Sequence, residues 1–257
     1  MPEICIACNS SNVINTGKPE FHNLESKYNV IQCNHCNLKW SSPMPSEADL
    51  SLHYNTYYER RFQRLFKTSL KYIRDLLTFK DTREKTFLKK AIQYTNVKYF
   101  LDYGCGEGEM LIMGKKFGWD CTGTEYSDEL SEKFSKLGIS VIVAKDFENS
   151  MLRKNGFDLI LFKHLIEHIK DIPSFLNQAK AYLTKNGVIA IKTPSNTSFR
   201  AKTKTAKWHI INPPEHLWSF NTNNFKLILE NNGFEILSIK NSLIVDELIC
   251  YIRVRDI

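Results

Sequence analysis

The stretch Leu101-Asp-Tyr-Gly-Cys-Gly-Glu-Gly-Glu-Met110 constrains this chain more than any other segment. It follows an apolar run from Val97 to Leu101, which predicts a short buried strand, and it leads into Met110-Leu-Ile-Met113, which predicts the start of a helix. Three glycines at alternate positions let the turn take positive φ angles and let a ligand approach the backbone without meeting a Cβ. The segment therefore predicts a strand, a cofactor-binding turn and a helix.

The charges in this turn restrict the cofactor. The dinucleotide fingerprint G-x-G-x-x-G places a pyrophosphate on the helix N-terminus, whereas here Asp102 precedes Gly104 and Glu107 lies inside the loop. Carboxylates at these positions would repel a pyrophosphate and suit a ligand with a cationic amino-acid end, a description that S-adenosylmethionine fits. The run D-x-G-x-G-x-G, completed by Gly106 and Gly108, resembles the first motif of class I S-adenosylmethionine-dependent methyltransferases.

This resemblance covers about residues 96 to 240 and implies an α/β fold. The expected architecture is a Rossmann-like seven-stranded class I methyltransferase sheet with helices on both faces. Six further segments predict strands that agree with it, namely Trp119–Glu125, Ile139–Ala144, Phe157–Phe162, Gly187–Lys192, Phe234–Lys240 and Leu248–Arg253.

Three residues beyond the glycine turn are candidates for binding the cofactor. Glu125 ends the second predicted strand, where an acid accepts the ribose hydroxyls of an adenosine ligand; the alternative is a surface acid at a strand end. In the family, an acid after the third strand meets the adenine amino group and an apolar neighbour lies against the ring. The resemblance implies these roles for Asp146 and Phe147.

Two C-x-x-C pairs near the N-terminus predict a structural zinc site. Each pair can form a tight knuckle that presents two sulfurs, and two knuckles complete a tetrahedral site with no open position. Binding of the metal would fold a segment too small to fold alone. A redox pair, chance, or replacement of a cysteine by His22 or His35 are the alternatives. The predicted ligands are Cys5, Cys8, Cys33 and Cys36.

The segment that follows predicts a linker and then helix. Trp40-Ser-Ser-Pro43-Met-Pro45 is proline-marked, and Ser46-x-x-Asp49 resembles a capping signal. We therefore expect three segments: a zinc-ribbon-like domain over 1–45, a helical segment that serves as lid or linker over 46–95, and the S-adenosylmethionine-binding domain over 96–257. The ribbon and linker also resemble the amino-terminal part of certain sugar and small-molecule methyltransferases.

The helical segment carries an aromatic stripe. Apolar residues recur at a spacing of three and four from Asp49 to about Tyr94, which predicts amphipathic helix. Such stripes usually belong to the core. The alternative is that Tyr54, Tyr57 and Tyr58 form part of a lid over the cofactor or substrate.

The segment His164-x-x-Glu167-His168 follows the fourth predicted strand. On a helix these three side chains would share a face and could bind a second divalent metal. This place resembles the methyltransferase family, which often carries an apolar residue, Leu, Glu and His after the fourth strand. Some quinone-biosynthesis O-methyltransferases carry an additional glutamate before it and bind a divalent ion, whereas this chain has His164 at that position. The preferred interpretation is that His164 faces the methyl-transfer site, while Glu167 and His168 are partly structural.

A long aperiodic excursion contains the second candidate base. Its histidines, tryptophans and Pro-Pro pair between Pro194 and Phe220 predict a binding loop at the carboxyl ends of the strands. The pattern Pro-x-His-Leu-x-x-Phe also resembles this methyltransferase group. His216 is therefore a candidate base or substrate contact, or a residue that only ties the loop down. Basic residues from Arg200 to Lys207 would suit an anionic substrate.

Composition limits the partners less than the motifs do. No apolar run approaches the roughly 20 residues that span a bilayer, and Met1-Pro-Glu-Ile lacks the features of a signal peptide, so we expect a cytoplasmic protein without a membrane partner. The net charge of +7 is dispersed and does not identify a partner.

Together these features predict a zinc-containing S-adenosylmethionine-dependent methyltransferase. The expected acceptor is a small molecule, anionic or sugar-based, such as a precursor of a surface polysaccharide, methylated on oxygen with His164 and His216 as the candidate catalytic bases. A Pro-Pro-Tyr type signature for base-amino methylation is absent after the fourth strand, where the sequence is Phe162-Lys-His-Leu. The alternatives are an RNA methyltransferase whose ribbon holds RNA and a binding protein without catalytic activity.

Overall fold

The computed structural model describes residues 3–19, 27–53, 82–125, 134–143, 152–197, 211–241 and 246–255. The strands are β1 Val13–Asn15, β2 Asn29–Cys33, β3 Lys39–Ser42, β4 Tyr99–Tyr103, β5 Asp120–Glu125, β6 Ser140–Val143, β7 Phe157–Lys163, β8 Leu183–Pro194, β9 Trp218–Ser219, β10 Phe234–Asn241 and β11 Glu247–Val254. The helices are α1 Thr82–Ala91, α2 Glu109–Lys116, α3 Ile172–Lys180 and α4 Thr222–Asn231, and a 3-10 turn covers Ile166–His168. Residues 47–53 are also helical.

The larger sheet has seven strands in the order β10-β11-β8-β7-β4-β5-β6. β4 pairs in parallel with β5 and β7, and β5 pairs in parallel with β6, while β10 and β11 are antiparallel. This is the Rossmann-like methyltransferase sheet, so the predicted fold class is confirmed. The fully buried run from Leu159 to Phe162 in β7 shows why the sequence revealed it, since a parallel strand covered on both faces is continuously apolar.

The chain divides into two compact units, each built from segments that are not consecutive in the sequence. The glycine-loop unit contains Leu52–Lys163 and Gln178–Ala190, and the ribbon unit contains Met1–Ser51, His164–Asn177 and Ile191–Ile257. The three-segment division in chain order stays a prediction.

In the glycine-loop unit, β4 supplies the strand that carries the glycine turn. Its register places Leu101 opposite Thr122 of β5 and opposite Ile160 of β7. The parallel strands therefore present their carboxyl ends at one edge of the sheet, where open α/β sheets bind ligands. The turn at residues 104–108 begins at this edge and leads directly into α2.

In the ribbon unit, a four-stranded antiparallel sheet has the order β1-β2-β3-β9. The first three strands come from the cysteine-rich N-terminus, and the fourth is Trp218–Ser219 from the predicted binding loop. The smaller sheet thus contains an element that the sequence did not predict to pair with the ribbon.

The helix after the ribbon begins with the predicted cap. Ser46 Oγ accepts from Asp49 N at 3.2 Å, and Asp49 Oδ2 accepts from Ser46 N at 2.9 Å. Because each side chain accepts from the backbone of the other residue, the N–H groups of Ser46 and Asp49 both have hydrogen-bond acceptors.

The predicted lid residues Tyr54, Tyr57 and Tyr58 lie outside the described residues, as do the basic residues from Arg200 to Lys207. Within the described part of the chain, none of the helices has the length and apolar character needed to cross a bilayer.

Candidate functional site

The turn after β4 has the backbone that its glycines predict. Gly104, Gly106 and Gly108 have φ angles of 74°, 54° and 74°, the left-handed region that side chains disfavour. Gly108 is the N-cap of α2. A Cβ on it would overlap the buried ring of Phe134, 2.7 Å from both Cε1 and Cε2. This position therefore requires glycine for its dihedral angles and for space.

The turn is bound to the end of β5 by backbone donors. Gly106 N donates to Glu125 Oε2 at 2.6 Å, Gly104 N donates to Thr124 Oγ1 at 3.2 Å, and Cys105 N donates to the Thr124 carbonyl at 2.8 Å. Glu125 is 6% exposed. A carboxylate that accepts a backbone N–H is held in one orientation, so Glu125 is a rigid acidic group beside the turn and not a surface acid.

Asp102 lies inside this unit and is 2% exposed. Burial is the main reason that its pKa rises to about 7, with contributions from Glu125, Glu109 and Glu84, while Lys163 acts in the opposite direction. A buried carboxyl titrating near neutrality is characteristic of functional sites. A cation bound beside it would favour its ionised form.

Lys163, the last residue of β7, counterbalances these acids. Its Nζ lies 2.9 Å from Glu109 Oε2 and 3.8 Å from Glu84 Oε2. Burial acts to lower its pKa, but the neighbouring Glu84 and Glu109 raise it above the usual value. The glycine-loop unit therefore combines one fixed cation with several acids near the turn.

The other two predicted cofactor residues, Asp146 and Phe147, lie outside the described residues. Their roles stay predictions. Within the described part, the carboxyl groups of Asp102 and Glu125 lie beside the turn, whose own N–H groups at residues 104–106 are bonded to Thr124 and Glu125.

The four predicted zinc ligands come together in the ribbon. Cys5 Sγ lies 3.5 Å from Cys36 Sγ, and Cys8 Sγ lies 3.6 Å from Cys33 Sγ. All four sulfurs lie within 4.8 Å of one another. A tetrahedral zinc with bonds of about 2.3 Å separates its sulfurs by about 3.8 Å, so the residues present fit the ion. His35 is not among these donors, and His22 lies outside the described residues.

Both knuckles close in the same way. Asn9 N donates to the Cys5 carbonyl at 2.9 Å, and Asn37 N donates to the Cys33 carbonyl at 3.0 Å. Asn9 and Asn37 have φ angles of 56° and 58°, and asparagine tolerates this region better than most residues. Burial opposes ionisation of Cys33, but backbone N–H groups of Cys36 and His35 lower the pKa of its thiol to about 7.

In the ribbon unit, His164 follows the end of β7 with a φ angle of 50°. Its Nε2 lies 3.2 Å from Glu247 Oε1, and its Nδ1 lies 3.6 Å from Glu167 Oε1. Burial acts to lower the pKa of His164, but Glu167 and Glu247 outweigh it and raise the pKa to about 9. Lys192, 4% exposed, lies 3.1 Å from the other oxygen of Glu247. His164 is therefore protonated at neutral pH within a compensated charge network.

Glu167 lies at the centre of a second group of donors. It is 1% exposed, and its Oε2 accepts from Thr193 Oγ1 at 2.9 Å. Its Oε1 and His168 Nδ1 are buried without a hydrogen-bond partner. The ring of His168 meets the ring of His216 edge to face, with centroids 4.8 Å apart. Burial lowers the pKa of His168, which favours its neutral form.

This grouping differs from the predicted one. The donor atoms of Glu167, His168 and His216 lie within 4.8 Å of one another and could hold a metal ion, whereas the sequence grouped His164 with Glu167 and His168. The reason is local: only Ile166–His168 form a 3-10 turn, and His164 precedes it in the left-handed region, so a common helical face does not exist. His164 turns to the carboxylates, and His216 takes the third place.

Several residues of these groups were missed by sequence reasoning. Glu109 and Lys163 lie next to predicted motifs, and their charge pairing depends on β7 and α2 meeting. Lys192, Thr193 and Glu247 lie in or at the start of ordinary strands. A repeated signal was available only for the knuckles, where each C-x-x-C pair is followed by asparagine.

Comparison with known proteins identifies the fold and the family. A family described as "Methyltransferase domain" matches residues 53–239. The chain is 34% identical over 109 residues to a "Ubiquinone biosynthesis O-methyltransferase" from Pelagibacter ubique (strain HTCC1062), covering 40% of this chain and 44% of that protein. The chain thus spans less than half the length of this curated relative.

Solved structures agree on the fold. A Burkholderia thailandensis 1,6-didemethyltoxoflavin-N1-methyltransferase, solved with 1,6-didemethyltoxoflavin and S-adenosylhomocysteine, superposes with a TM-score of 0.60 at 14% identity, over 91% of this chain and 99% of that one. A SAM-dependent methyltransferase from Archaeoglobus fulgidus gives a TM-score of 0.51 at 20% identity, over 70% and 98% of the two chains. The predicted resemblance is confirmed: the chain belongs to the methyltransferase domain family and has the fold of the class I S-adenosylmethionine-dependent methyltransferases.

Proposed function

We propose that this chain transfers a methyl group from S-adenosylmethionine to an oxygen atom of a small molecule. The observation that carries the proposal is the glycine turn at the end of β4, closed by the carboxylate of Glu125 on Gly106 N at 2.6 Å. Oxygen as the acceptor atom is supported by the O-methyltransferase to which the chain is 34% identical over 109 residues. A sugar or another precursor of a surface polysaccharide is the proposed acceptor class.

The glycine-loop unit has the residues to hold the cofactor. Glu125, at the end of β5, is the proposed acceptor for the ribose hydroxyls, and the glycines at 104, 106 and 108 present no Cβ to a ligand. The carboxyl of Asp102 suits the cationic amino-acid end of the cofactor. Asp146 and Phe147 complete the proposed site at the adenine.

Bound S-adenosylmethionine supplies an electrophilic methyl group on a sulfonium. The chain has to align the acceptor oxygen and remove its proton. His216 is the proposed base. It is one partner of the bridge between Asn212 and His216, in which each backbone N–H donates to the carbonyl of the other at 2.9 and 3.1 Å. These two hydrogen bonds fix the backbone that carries the imidazole.

His164 is proposed to act as a cation more than as the predicted base. A histidine with a pKa of about 9 already carries its proton at neutral pH, and a protonated imidazole accepts none. Its side chain is 36% exposed, so the charge is accessible to solutes.

Two metal ions have proposed places. The four thiolates of the ribbon would hold a structural zinc with a closed coordination sphere. Glu167, His168 and His216 would offer a second divalent ion one carboxylate and two imidazoles, with Thr193 orienting Glu167. His216 cannot act as a base while its imidazole binds a metal ion. The number of metal ions per chain therefore distinguishes these two proposed roles.

The test is transfer of a radiolabelled methyl group from S-adenosylmethionine into a cell extract that is split into a small-molecule fraction and an RNA fraction. We expect label in small molecules with the wild type and loss of most of it with His216→Gln. His53→Gln, at the end of the helical residues 47–53, is the matched control and should retain it. Binding of S-adenosylhomocysteine by His216→Gln shows that the cofactor site remains folded.

Other outcomes separate the alternatives. Label in RNA would replace the small-molecule proposal by an RNA methyltransferase, and binding of cofactor without label in either fraction would favour a protein without catalytic activity. Label that is released by acid hydrolysis as an O-methyl sugar would identify the acceptor class. Retention of full activity by His216→Gln would remove its proposed role.

A further inference from the structure

The strand β9 connects the cysteine ribbon to His216. Trp218 and Ser219 pair with Trp40 and Lys39 of β3, and Ser41 N donates to the Leu217 carbonyl at 2.9 Å. The Trp40 and Trp218 rings lie 6.4 Å apart. The backbone immediately after His216 is therefore held by the ribbon sheet.

The same short segment is bonded on its other side to the turn that carries Glu167 and His168. Leu217 N donates to the Glu167 carbonyl at 2.9 Å, and Trp218 Nε1 donates to the Ile169 carbonyl at 2.7 Å. Leu217 thus has one backbone group on the ribbon and the other on the turn. Within the ribbon unit, the position of His216 relative to Glu167 depends on both attachments.

A second connection links a cysteine knuckle of the ribbon to α4. The carbonyl of Cys36 accepts from Asn221 Nδ2 at 3.1 Å and from Asn224 Nδ2 at 3.2 Å. Both asparagines are buried, and their Oδ1 atoms form the capping box at the start of α4, each accepting at 2.9 Å from the backbone of the other. Asn231 Nδ2 adds a bond of 2.9 Å to the Ala7 carbonyl of the first knuckle. One helix is therefore bonded to both knuckles.

These contacts give the ribbon a role beyond its own folding. We propose that the tetrathiolate centre, through Asn221, Asn224 and β9, positions His216 against Glu167 and His168. A two-residue strand has too few bonds to hold a fixed place alone, and the Cys36 carbonyl keeps its place only while the knuckle is closed. Asn221 and Asn224 are positioning residues for the acceptor site, and this assignment rests on the proposed function of His216.

The substitution Asn221→Asp separates capping from positioning. Aspartate is as good an N-cap as asparagine, but its carboxylate cannot donate to the Cys36 carbonyl. We expect α4 and the zinc content to be retained, while the ring resonances of His216 shift in a ring-labelled histidine spectrum of the full chain. Turnover should fall about tenfold, the equivalent of one lost buried bond, with the affinity for S-adenosylhomocysteine unchanged.

The control Asn232→Ala is on the same helix. Asn232 Nδ2, at the C-cap of α4, donates to the Ile228 carbonyl, and among the described residues it makes no hydrogen bond to a knuckle, so its loss should leave the His216 resonances in place. Removing zinc from the wild type with a chelator is the second measurement. We expect the His216 resonances and the Trp218 indole N–H resonance to shift, while the amide resonances of Gly104, Gly106 and Gly108 stay unchanged.

Unchanged His216 and Trp218 resonances, both in metal-free protein and in Asn221→Asp, would overturn the proposal. Global unfolding without zinc leaves Asn221→Asp, which retains the metal, as the deciding variant. The spectra need no methyl acceptor, so they separate this inference from the proposed function. Shifted His216 resonances in a protein that methylates nothing would support the positioning contacts and refute the methyl transfer.

Discussion

The glycine turn and the Glu167–His168–His216 group are built in different ways. The turn, its helix and the acid that closes it come from the continuous stretch between Asp102 and Glu125, and their contacts are hydrogen bonds from backbone N–H groups of the turn to the end of the neighbouring strand β5. The histidine group comes from the turn after β7 and from the loop before β9, with Thr193 from β8. The proposed cofactor site lies in one short stretch and is visible as a motif, whereas the proposed acceptor site is assembled from distant segments and is not.

The two regions also differ in how their charged groups are compensated. At the turn, burial raises the pKa of Asp102 to about 7 although Lys163 acts in the opposite direction, so a cationic ligand would add to the compensation that Lys163 provides. In the ribbon unit, His164 and Lys192 are matched by Glu167 and Glu247. The first arrangement is prepared for a cation, and the second is already neutralised by its own residues.

The largest expected effect is that of Gly108→Ala. Left-handed strain costs about 1–2 kcal/mol and overpacking against Phe134 about 1–3 kcal/mol, so the free energy of unfolding should fall by about 2–5 kcal/mol. Gly118→Ala is the control, because Gly118 has a φ angle of 82° but nothing within 4 Å of its Cβ position. It should cost only the strain, about 1–2 kcal/mol. Urea denaturation measures both, and equal losses would contradict the clash.

Glu125→Ala tests whether the turn depends on its acid. Loss of the charged acceptor for Gly106 N should weaken S-adenosylhomocysteine binding about 10–100-fold, or about 1.4–2.8 kcal/mol. Calorimetric titration measures the affinity. The control is Asp120→Ala, at the exposed start of the same strand, which should bind normally. If the turn is built only from its own short stretch, Glu125→Ala should bind as much zinc as the wild type. A loss of zinc would contradict the contrast between the turn and the ribbon unit.

A smaller effect is expected from the pH dependence of stability in the ribbon unit. The pKa of His164 rises from 6.5 to about 9 on folding. Its stabilising contribution is therefore complete below pH 6.5 and is lost as pH rises through 9. Urea denaturation across this range should show a decline that His164→Asn removes. Glu247→Gln should lower the pKa of His164, as followed by its ring resonances; an unchanged pKa would mean that Glu247 does not hold the charge.

The smallest effect is expected at Asp102. Its folded pKa of about 7 means that the carboxyl is partly protonated at neutral pH, and a bound ammonium group favours the ionised form. Affinity for S-adenosylhomocysteine should therefore rise by up to about tenfold between pH 6 and 8 and then level off. Asp102→Asn should bind more weakly and show a flat profile. A sloping profile in that variant would assign the dependence to another group.

Much of the fold was predictable because its signals are short. Continuous apolar runs such as Leu159–Phe162 predicted the strands of a sheet covered on both faces, and the sheet has the seven strands expected. Paired cysteines predicted the ribbon ligands, whose sulfurs meet. In both cases a physical requirement, burial of apolar area or completion of a tetrahedron, acts on residues that are close in sequence or identical in type.

The arrangement around His164 was not predictable in the same way. The spacing of His164, Glu167 and His168 suggested a helical face, but only a 3-10 turn forms and His164 lies outside it. The partner of His164 is Glu247, at the start of the last strand. No periodicity links these positions, because the contact exists only through the sheet.

The sequence alone therefore determined the glycine turn, the cluster of four cysteines and the segments that form the strands of the larger sheet, since each follows from backbone dihedrals, ligand chemistry or burial within a short segment. Only the tertiary structure decided that β9 joins the ribbon sheet. The same is true of the hydrogen bonds from Asn221 and Asn224 to the Cys36 carbonyl and of the contact between the rings of His216 and His168. These contacts join residues far apart in the chain, and their free energy exists only after the strands and knuckles have brought them together.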